Sequence, residues 1–402
     1  MRLIQPSCAA VAAAALLTSG CSWSPQADPV PPAGSTTPAP SAPAPDPSES
    51  ADPELACVAR LPLDVRIGQT MLVTTTDLPR VQPWLEDGLI AGVLSNGRLT
   101  RATATLLEVA TAGTRYGALL AADEEGGPVS RYAEVIGAIP SAQRQATTMT
   151  PEAVRQMYAE HGQALADWGV DLVFAPVVDV GHGPGIGPRA YSEDPDVVTD
   201  FGTAAAQGYS GAGLLPVLKH FPGQGRATAD THYELAVGPP IDELRAVDMV
   251  PFGAIPGAVD VGVMVGHTTI PGYSDTPASQ STRTIGGLLV DELGFEGLIV
   301  SDALGMAASG EPTQGDALVG FIAAGGDLGI VGPGGSQEGR RALRSALEDG
   351  TVSRDRLDDA AGAVLAAKGV DPCRVAGRPA PEVADETDGP SDGPVINPTE
   401  EP

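Results

Sequence analysis

The stretch LLPVLKHFPGQG, residues 214–225, decides the fold class of this chain. Residues 214–218 are almost continuously apolar, as a strand must be when it is covered on both faces. They lead directly into a lysine, a histidine and a turn rich in glycine and proline. Polar groups packed beside a buried strand end are costly to desolvate, so a ligand or a reaction usually explains them. The stretch therefore predicts a buried strand that ends in a functional site, and a plain turn with a salt-bridged Lys219 is the alternative.

The same arrangement recurs between residues 60 and 370. Short apolar runs alternate with stretches of helical spacing, such as 151–168, where Thr150 is the predicted N-cap and Pro151 opens the first turn. Eight such repeats predict a single (β/α)8 barrel. A doubly wound open sheet is the alternative, but no dinucleotide fingerprint follows the first strand. The eight runs are 68–73, 90–94, 118–122, 172–178, 214–218, 261–265, 298–301 and 327–331.

Polar residues follow these runs, whereas the runs themselves are apolar. In a (β/α)8 barrel the carboxyl ends of all strands meet at one face, which carries the chemistry. The convergence of so many polar groups on one face therefore predicts an enzyme. These residues are Asp77, Asn96, Asp123, Glu124, Glu125, Asp179, Lys219, His220, His267 and Asp302.

Composition narrows the class of protein. The chain has 402 residues and 42% hydrophobic content, enough for one large core. Its 23 Lys and Arg against 51 Asp and Glu give a formal net charge of -28. Binding to nucleic acid needs basic patches that neutralise phosphates, so no nucleic-acid partner is expected. The histidines lack zinc-ligand spacing, and we expect neither a metal nor a cofactor.

The two ends of the chain differ in composition from its middle. Residues 1–21 have the pattern of an export signal in which small residues precede Cys21, the predicted lipidated N-terminus. An ordinary secretory signal with a chance cysteine is the alternative. Residues 22–53, rich in Pro, Ser and Ala, are predicted to be a tether, and residues 377–402 an acidic, Pro-rich tail. The globular domain is then 54–376, in an exported protein anchored to the outer face of the cell membrane.

Cysteine usage agrees with export. Cys8 leaves with the signal and Cys21 carries the lipid, so Cys57 and Cys373 remain, one at each edge of the globular domain. An oxidising compartment favours a disulfide between them, and two free thiols are the alternative.

Two motifs carry groups suited to bond cleavage. Asp302 follows the seventh run. A carboxylate in this position could act as a nucleophile or balance positive charge that develops on a sugar ring. The alternative is that Asp302 caps the helix that follows. In the motif 230–232, Asp230 would hold the ring of His232, which could then move a proton near neutral pH. The alternative there is a histidine in a surface loop.

Two further motifs are suited to ligand binding. Asp123, in the cluster 123–127 that leads to Arg131, could accept two hydrogen bonds from sugar hydroxyls, and the two glycines could let backbone approach a ligand. A divalent cation is the alternative, opposed by the neighbouring basic residues. Arg189 could bind a carboxylate or carbonyl, or form a structural pair with Glu193.

Together these motifs resemble glycoside hydrolase family 3, and within it the bacterial β-N-acetylglucosaminidases. The resemblance covers about residues 60–370 in unbroken order. The family pattern K-H-F-P-G-H-G followed by D-S-H is similar to 219–225 and 230–232. The pattern D-x-E-G-G-x-V-x-R is similar to 123–131, and S-D-[DA]-L-x-M to 301–306.

The resemblance implies a single barrel and a retaining, two-step mechanism. Asp302 would be the nucleophile, and His232, oriented by Asp230, would be the general acid and base. The remaining matched positions would bind the N-acetylglucosamine unit. They are Asp123, Arg131, Arg189, Lys219 and His220. Three positions depart from the family pattern: Gln224 stands for a histidine, Ala303 for an acid and Pro128 for a basic residue.

The expected activity is removal of terminal β-linked N-acetylglucosamine from peptidoglycan-derived muropeptides or other glycans that end in this sugar. One rival is a phosphorylase or transglycosylase, since a histidine proton carrier tolerates phosphate as acceptor. The other is a non-catalytic lipoprotein that binds muropeptides.

Overall fold

The computed structural model describes residues 53–95 and 97–377, and within them the predicted (β/α)8 barrel is confirmed. Eight parallel strands close on themselves in chain order, and a short antiparallel hairpin follows the third barrel strand. The barrel strands are β1 (Met71–Thr75), β2 (Gly92–Ser95), β3 (Leu119–Ala122), β6 (Leu172–Val173), β7 (Leu215–Phe221), β8 (Gly262–Val265), β9 (Ile299–Ala303) and β10 (Leu328–Val331); the hairpin is β4 (Glu124–Gly126) and β5 (Val129–Ser130).

Several predicted features lie outside the described residues. They are the signal 1–21 with the lipidation site Cys21, the tether up to residue 52, Asn96 and the tail from residue 378. The boundaries of the globular domain, 54–376, stay a prediction.

All eight predicted runs overlap barrel strands, and the first, fourth and fifth differ from them by three residues or more at one end. The first run begins too early, because Gly68 and Gln69 belong to the preceding helix and the strand starts at Met71. The fourth run extends past its strand, because the regular ladder covers only Leu172–Val173 and the later residues keep a single isolated bridge, between Val177 and Lys219. Pro176 has no N–H to donate, and the chain leaves the regular ladder there. The fifth run ends too early, because β7 continues through Lys219 and His220 to Phe221.

Helices cover the outside of the barrel. The predicted cap is confirmed, since the Thr150 side chain accepts a hydrogen bond from the Ala153 N–H. The α-helices are α1 (Pro53–Val58), α2 (Leu63–Gln69), α3 (Leu78–Asp87), α4 (Arg101–Thr111), α5 (Ala133–Ile136), α6 (Ala142–Thr148), α7 (Pro151–Ala166), α8 (Pro195–Gly211), α9 (Ile241–Glu243), α10 (Val250–Ala254), α11 (Gln314–Ala324), α12 (Pro333–Asp349), α13 (Arg354–Ala367) and α14 (Pro372–Val375). Two segments wind as π-helices, Leu244–Asp248 and Arg283–Glu292, and short 3-10 turns span Gly187–Arg189, Ile255–Gly257, Ala278–Gln280 and Ala307–Ser309.

The core has two apolar layers. One fills the barrel and includes Leu72, Phe174 and Val300, all buried. The other lies between strands and helices and includes Tyr158 and Phe321. Because alternate residues of a strand point to opposite faces, continuous apolar runs feed both layers at once. The filled interior makes the barrel a solid support for the loops at its carboxyl face.

A disulfide joins the two ends of the described chain. Cys57 in α1 and Cys373 in α14 are bonded, with their Cα atoms 4.9 Å apart across a sequence separation of 316 residues. Among the residues that the structure describes, none of the helices has both the length and the apolar character needed to cross a bilayer.

A cavity of about 680 Å³ opens at the amino-terminal ends of the strands, beside Leu215, Val261 and Leu298. Its walls are mainly apolar and none of the predicted site residues lines it. The predicted polar residues that the structure describes lie at the other end of the barrel, where the strands end.

Candidate active site

Lys219, near the carboxyl end of β7, is the centre of a buried group of charges. Its Nζ lies 2.7 Å from Asp123 Oδ1 and 2.6 Å from Glu125 Oε1, and its side chain is only 3% exposed. Arg189 donates to both oxygens of Glu125 at 2.7 Å. Burial alone would raise the pKa of Glu125, but Arg189 and Lys219 outweigh it and hold that pKa well below the usual range. The site thus contains two cations and two carboxylates that neutralise one another.

The three consecutive acids after β3 have different surroundings. Asp123 keeps 20% of its side chain exposed and lies 4.0 Å from Arg131, so it faces the opening of the site. Glu125 pairs with the cations, as above. Glu124 points into the protein, where it accepts hydrogen bonds from Ser130 and from the Tyr132 N–H.

The structure assigns different roles to two features interpreted from sequence. The alternative that Arg189 forms a structural pair with Glu193 was wrong, because Arg189 pairs with Glu125. Gly126 and Gly127 have φ of +89° and +58° and turn the β4–β5 hairpin tightly against residues 139–141. A side chain at either glycine would collide with residues 139–141, so the two glycines allow close packing within the protein itself.

His220 is held by Asp179, a carboxylate to which the sequence analysis gave no role. Asp179 Oδ2 lies 2.7 Å from His220 Nδ1, and Oδ1 accepts from the backbone N–H groups of His220 and Gln224. Arg189 lies 3.4 Å from His220 Nε2. This set of partners fits the tautomer in which Nδ1 donates to Asp179 and Nε2 accepts. The signal for Asp179 was present in the sequence, since it follows the fourth strand.

Asp302 lies in β9, one residue before its end. Its Oδ1 accepts a 2.8 Å hydrogen bond from the Ala303 N–H. Burial by itself would raise the pKa of the Asp302 carboxyl. The imidazoles of His220, His267 and His232 have the opposite and larger effect, and they lower this pKa to about 2. Asp302 does not cap a helix, so that alternative was wrong: the next element is the 3-10 turn Ala307–Ser309, and the following α-helix, α11, is capped by Thr313.

His267 stands behind Asp302 and is fully buried. Its Nδ1 lies 2.7 Å from Ser279 Oγ and its Nε2 lies 3.1 Å from the Ala303 carbonyl oxygen. Burial lowers the pKa of this imidazole, which favours its neutral form. A neutral His267 donating from Nε2 therefore fixes the backbone that carries Asp302.

Asp230 and His232 form a close pair on the loop after β7. His232 Nδ1 lies 2.6 Å from Asp230 Oδ1, and the same oxygen accepts from the His232 N–H at 3.0 Å. Among the described residues, no hydrogen bond engages His232 Nε2. With side chains 15% and 22% exposed, the pair lies at the rim of the site. An imidazole held in this way has a fixed tautomer and presents Nε2 to a ligand.

The base of this loop is buried and tied to the barrel. Gln224, which departs from the family pattern, donates from Nε2 to Thr231 Oγ at 2.9 Å. Arg226 lies 2.6 Å from the buried Asp248. Gln224 therefore supports the residue between Asp230 and His232. Residues 222–225 are buried as well.

The structure brings most of the sequence-predicted site residues to one end of the barrel. Direct contacts link Asp123, Arg131, Arg189, Lys219 and His220, while electrostatic interaction links His220, His232 and Asp302. Among the described residues, there is no group of three or more His, Cys, Asp or Glu side chains able to hold a metal ion. The arrangement offers a half-buried carboxylate and an imidazole at the rim, groups that can act as nucleophile and proton carrier in glycoside cleavage.

Comparison with known proteins agrees with this geometry. The glycosyl hydrolase family 3 N terminal domain matches residues 62–367. Beta-hexosaminidase LpqI of Mycobacterium tuberculosis is 36% identical over 317 residues, 75% of this chain and 80% of LpqI. The crystal structure of a family 3 glycosyl hydrolase from Mycobacterium smegmatis matches with a TM-score of 0.73 at 33% identity, covering 77% of this chain and 98% of that one.

A family 3 β-N-acetylglucosaminidase from Paenibacillus is also similar, with a TM-score of 0.72 at 27% identity. That match covers 81% of this chain and 65% of the other. The resemblance inferred from the motifs is thereby confirmed. The chain belongs to glycosyl hydrolase family 3 and is a glycoside hydrolase.

Proposed function

We propose that this protein is a retaining, exo-acting β-N-acetylglucosaminidase. Membership of the family and relatives named beta-hexosaminidase and β-N-acetylglucosaminidase support the activity. The observation that carries the mechanism is electrostatic. The half-buried carboxylate of Asp302 interacts electrostatically with the imidazole of His232, and His232 is itself held by Asp230. This interaction supports a mechanism in which Asp302 is the nucleophile and His232 the proton carrier of one site.

In the first step, a carboxylate oxygen of Asp302 attacks the anomeric carbon of the bound sugar. The bond between that carbon and the glycosidic oxygen breaks, and the leaving oxygen takes a proton from His232 Nε2. Asp230 stabilises the protonated ring before transfer and keeps Nδ1–H in place afterwards. The products of this step are a glycosyl ester on Asp302 and a neutral His232.

In the second step, water attacks the same carbon from the side that the leaving group vacated. His232 Nε2 accepts the proton from water, and the ester bond to Asp302 breaks. The sugar leaves with its β configuration retained, and both residues return to their starting protonation states.

The buried charges around Lys219 would bind the sugar that is released. Asp123 can accept hydrogen bonds from two neighbouring hydroxyls while Lys219 and Arg131 hold its carboxylate. Arg189 and His220 would contact the same ring from the neighbouring strands. Because these groups are already paired in the structure, little reorganisation is needed when the sugar binds.

The proposed substrates are peptidoglycan fragments with a terminal β-linked N-acetylglucosamine. The predicted export signal, lipid anchor at Cys21 and tether support a place at the outer face of the cell membrane, where such fragments arise. Metabolic labelling with a palmitate analogue tests the anchor. Label that is present in the wild type and lost in Cys21→Ala would support it, and equal label in both would contradict it.

The activity is tested with 4-nitrophenyl β-N-acetylglucosaminide and with purified muropeptides. Asp302→Ala should abolish release of nitrophenol, while Asp291→Ala, an exposed carboxylate on the Arg283–Glu292 helix, serves as the control. Proton NMR of the first product should show the β-anomer. Near-normal turnover by Asp302→Ala would remove this residue from the role of nucleophile, and an α-anomer would contradict retention.

The same assay shows whether water or phosphate is the acceptor of the sugar. With phosphate present, a phosphorylase would form sugar 1-phosphate, whereas the proposed hydrolase forms free N-acetylglucosamine. Binding of muropeptides without any turnover by the wild type would favour a binding protein and overturn the proposal.

A further inference from the structure

Exposed apolar side chains are concentrated beside His232. The described chain has six large hydrophobic residues that are exposed, and three of them follow this histidine within five positions. Tyr233 is 57%, Leu235 50% and Val237 37% exposed. All seven tyrosines lie in the described residues, and Tyr233 alone among them is exposed. An exposed tyrosine next to a proton carrier is unusual enough to suggest a contact with ligand.

This apolar surface is held in place relative to the Asp230–His232 pair. The Tyr233 N–H donates to the Asp230 carbonyl oxygen at 3.1 Å, which closes a turn around His232. Further along, the Thr269 N–H donates to the Ala236 carbonyl at 3.0 Å, so the end of the segment is fixed beyond β8. The Tyr233 ring lies 6.4 Å from the His232 ring, tilted by 56°. The exposure of Tyr233 is therefore maintained by an ordered backbone.

The position of the proton carrier defines where the leaving group lies. His232 Nε2 must approach the glycosidic oxygen to about 3 Å, so the first ring of the leaving group lies within a few ångströms of the imidazole. The released sugar occupies the buried side, among Lys219 and Asp302. The leaving group is then on the exposed side, where Tyr233 and Leu235 stand.

The chemistry of the segment points to contact with a ring face. Residues 227–240 contain no lysine or arginine, so they offer no ion pair to a carboxylate or phosphate on the leaving group. A tyrosine ring instead packs on the apolar C–H face of a pyranose. We propose that Tyr233, assisted by Leu235, forms a subsite that takes the second sugar ring of the substrate. This inference rests on the proposed function and adds to it a preference for substrates whose leaving group is a sugar ring.

Two substrates separate this role from a general effect on catalysis. N,N′-diacetylchitobiose has a sugar ring as its leaving group, and methyl β-N-acetylglucosaminide has none, but both need protonation of the leaving oxygen. Tyr233→Ala should lower kcat/KM for the disaccharide by about 3- to 10-fold, in line with the typical strength of aromatic packing, and change the methyl glycoside by less than about 2-fold. Tyr233→Phe should recover most of the loss.

Leu106→Ala is the matched control, because Leu106 is 59% exposed on α4, outside the proposed site. It should leave both substrates unchanged. An equal loss on both substrates in Tyr233→Ala would mean that the tyrosine only positions His232, and no loss on either would also overturn the subsite. A wild type that cleaves neither substrate would instead refute the proposed function.

Discussion

Gly185 stands directly against the carboxylate of Asp230. A Cβ atom placed on Gly185 would lie 2.7 Å from Asp230 Oδ1, closer than real side chains come. The carbonyl of Gly185 also accepts a 2.8 Å hydrogen bond from Arg189. One glycine thus contacts both the partner of His232 and an arginine proposed to bind the sugar, and its small size sets the position of the Asp230–His232 pair.

Gly185→Ala should therefore displace Asp230 and impair proton transfer by His232. We expect a loss of about 10-fold or more in kcat/KM on a disaccharide, whose leaving group needs protonation, and a smaller loss on an activated aryl glycoside. Gly187→Ala is the control, since Gly187 also has a positive φ, +49°, but has open space around it. Equal losses in the two variants, or equal losses on the two substrates, would show that backbone strain alone is responsible.

Asp302 should stay ionised across the working pH range. The pKa of this carboxyl is lowered to about 2, so protonation removes the nucleophile only as pH falls through that value. A fluorinated N-acetylglucosaminyl inactivator with a good leaving group needs no proton from His232. Its rate of covalent labelling should be flat from pH 7 down to about 4. A fall in that rate centred near the ordinary aspartate value would contradict this prediction.

Lys219→Met should destabilise the fold as well as the site. The substitution removes the cation that lies within 2.7 Å of Asp123 and Glu125, and leaves carboxylates buried with less compensation. Breaking a buried ion pair in this way costs about 3–5 kcal/mol of unfolding free energy, which urea denaturation measures. Arg155→Met removes the exposed pair with Glu152 and should change stability little. Similar midpoints for the two variants would indicate that the Lys219 cluster is well solvated.

Loss of the Cys57–Cys373 disulfide should lower stability without changing the chemistry. The bond closes a loop of more than 300 residues, and such cross-links typically stabilise by about 2–5 kcal/mol, in part through the unfolded state. The Cys57→Ala, Cys373→Ala double variant should unfold at lower urea, and reductant should no longer shift its midpoint. An unchanged midpoint would mean that the ends of the domain hold together without the bond.

The sequence predicted the strands well because a strand buried on both faces needs a continuous apolar run. The run 261–265, for example, coincides with β8 except for its first residue. The prediction failed at 172–178, where the strand ends at Val173. Pro176 interrupts the hydrogen-bond ladder there, and a pattern of apolar residues does not show such an interruption. The motif at 230–232 indicated a carboxylate near an imidazole, because two side chains two residues apart on a turn can reach each other.

Contacts between residues that are distant in the chain were harder to predict from the sequence. Asp179 precedes His220 by 41 residues, and the charge pattern alone did not select it as the group that holds this ring. Nor did it show that Glu124 turns inward while Glu125 binds cations, since consecutive acids look alike in a sequence.

The amino-acid sequence by itself determined the number of barrel strands, the face on which polar groups meet and the residues proposed for chemistry, because these follow from local patterns of apolar and polar residues. Only the tertiary structure decided the pairings: Lys219 with Asp123 and Glu125, His220 with Asp179, and Gly185 against Asp230. Such contacts depend on how the loops of separate strands pack above the barrel, and that packing is fixed by the closure of the whole sheet rather than by any one segment.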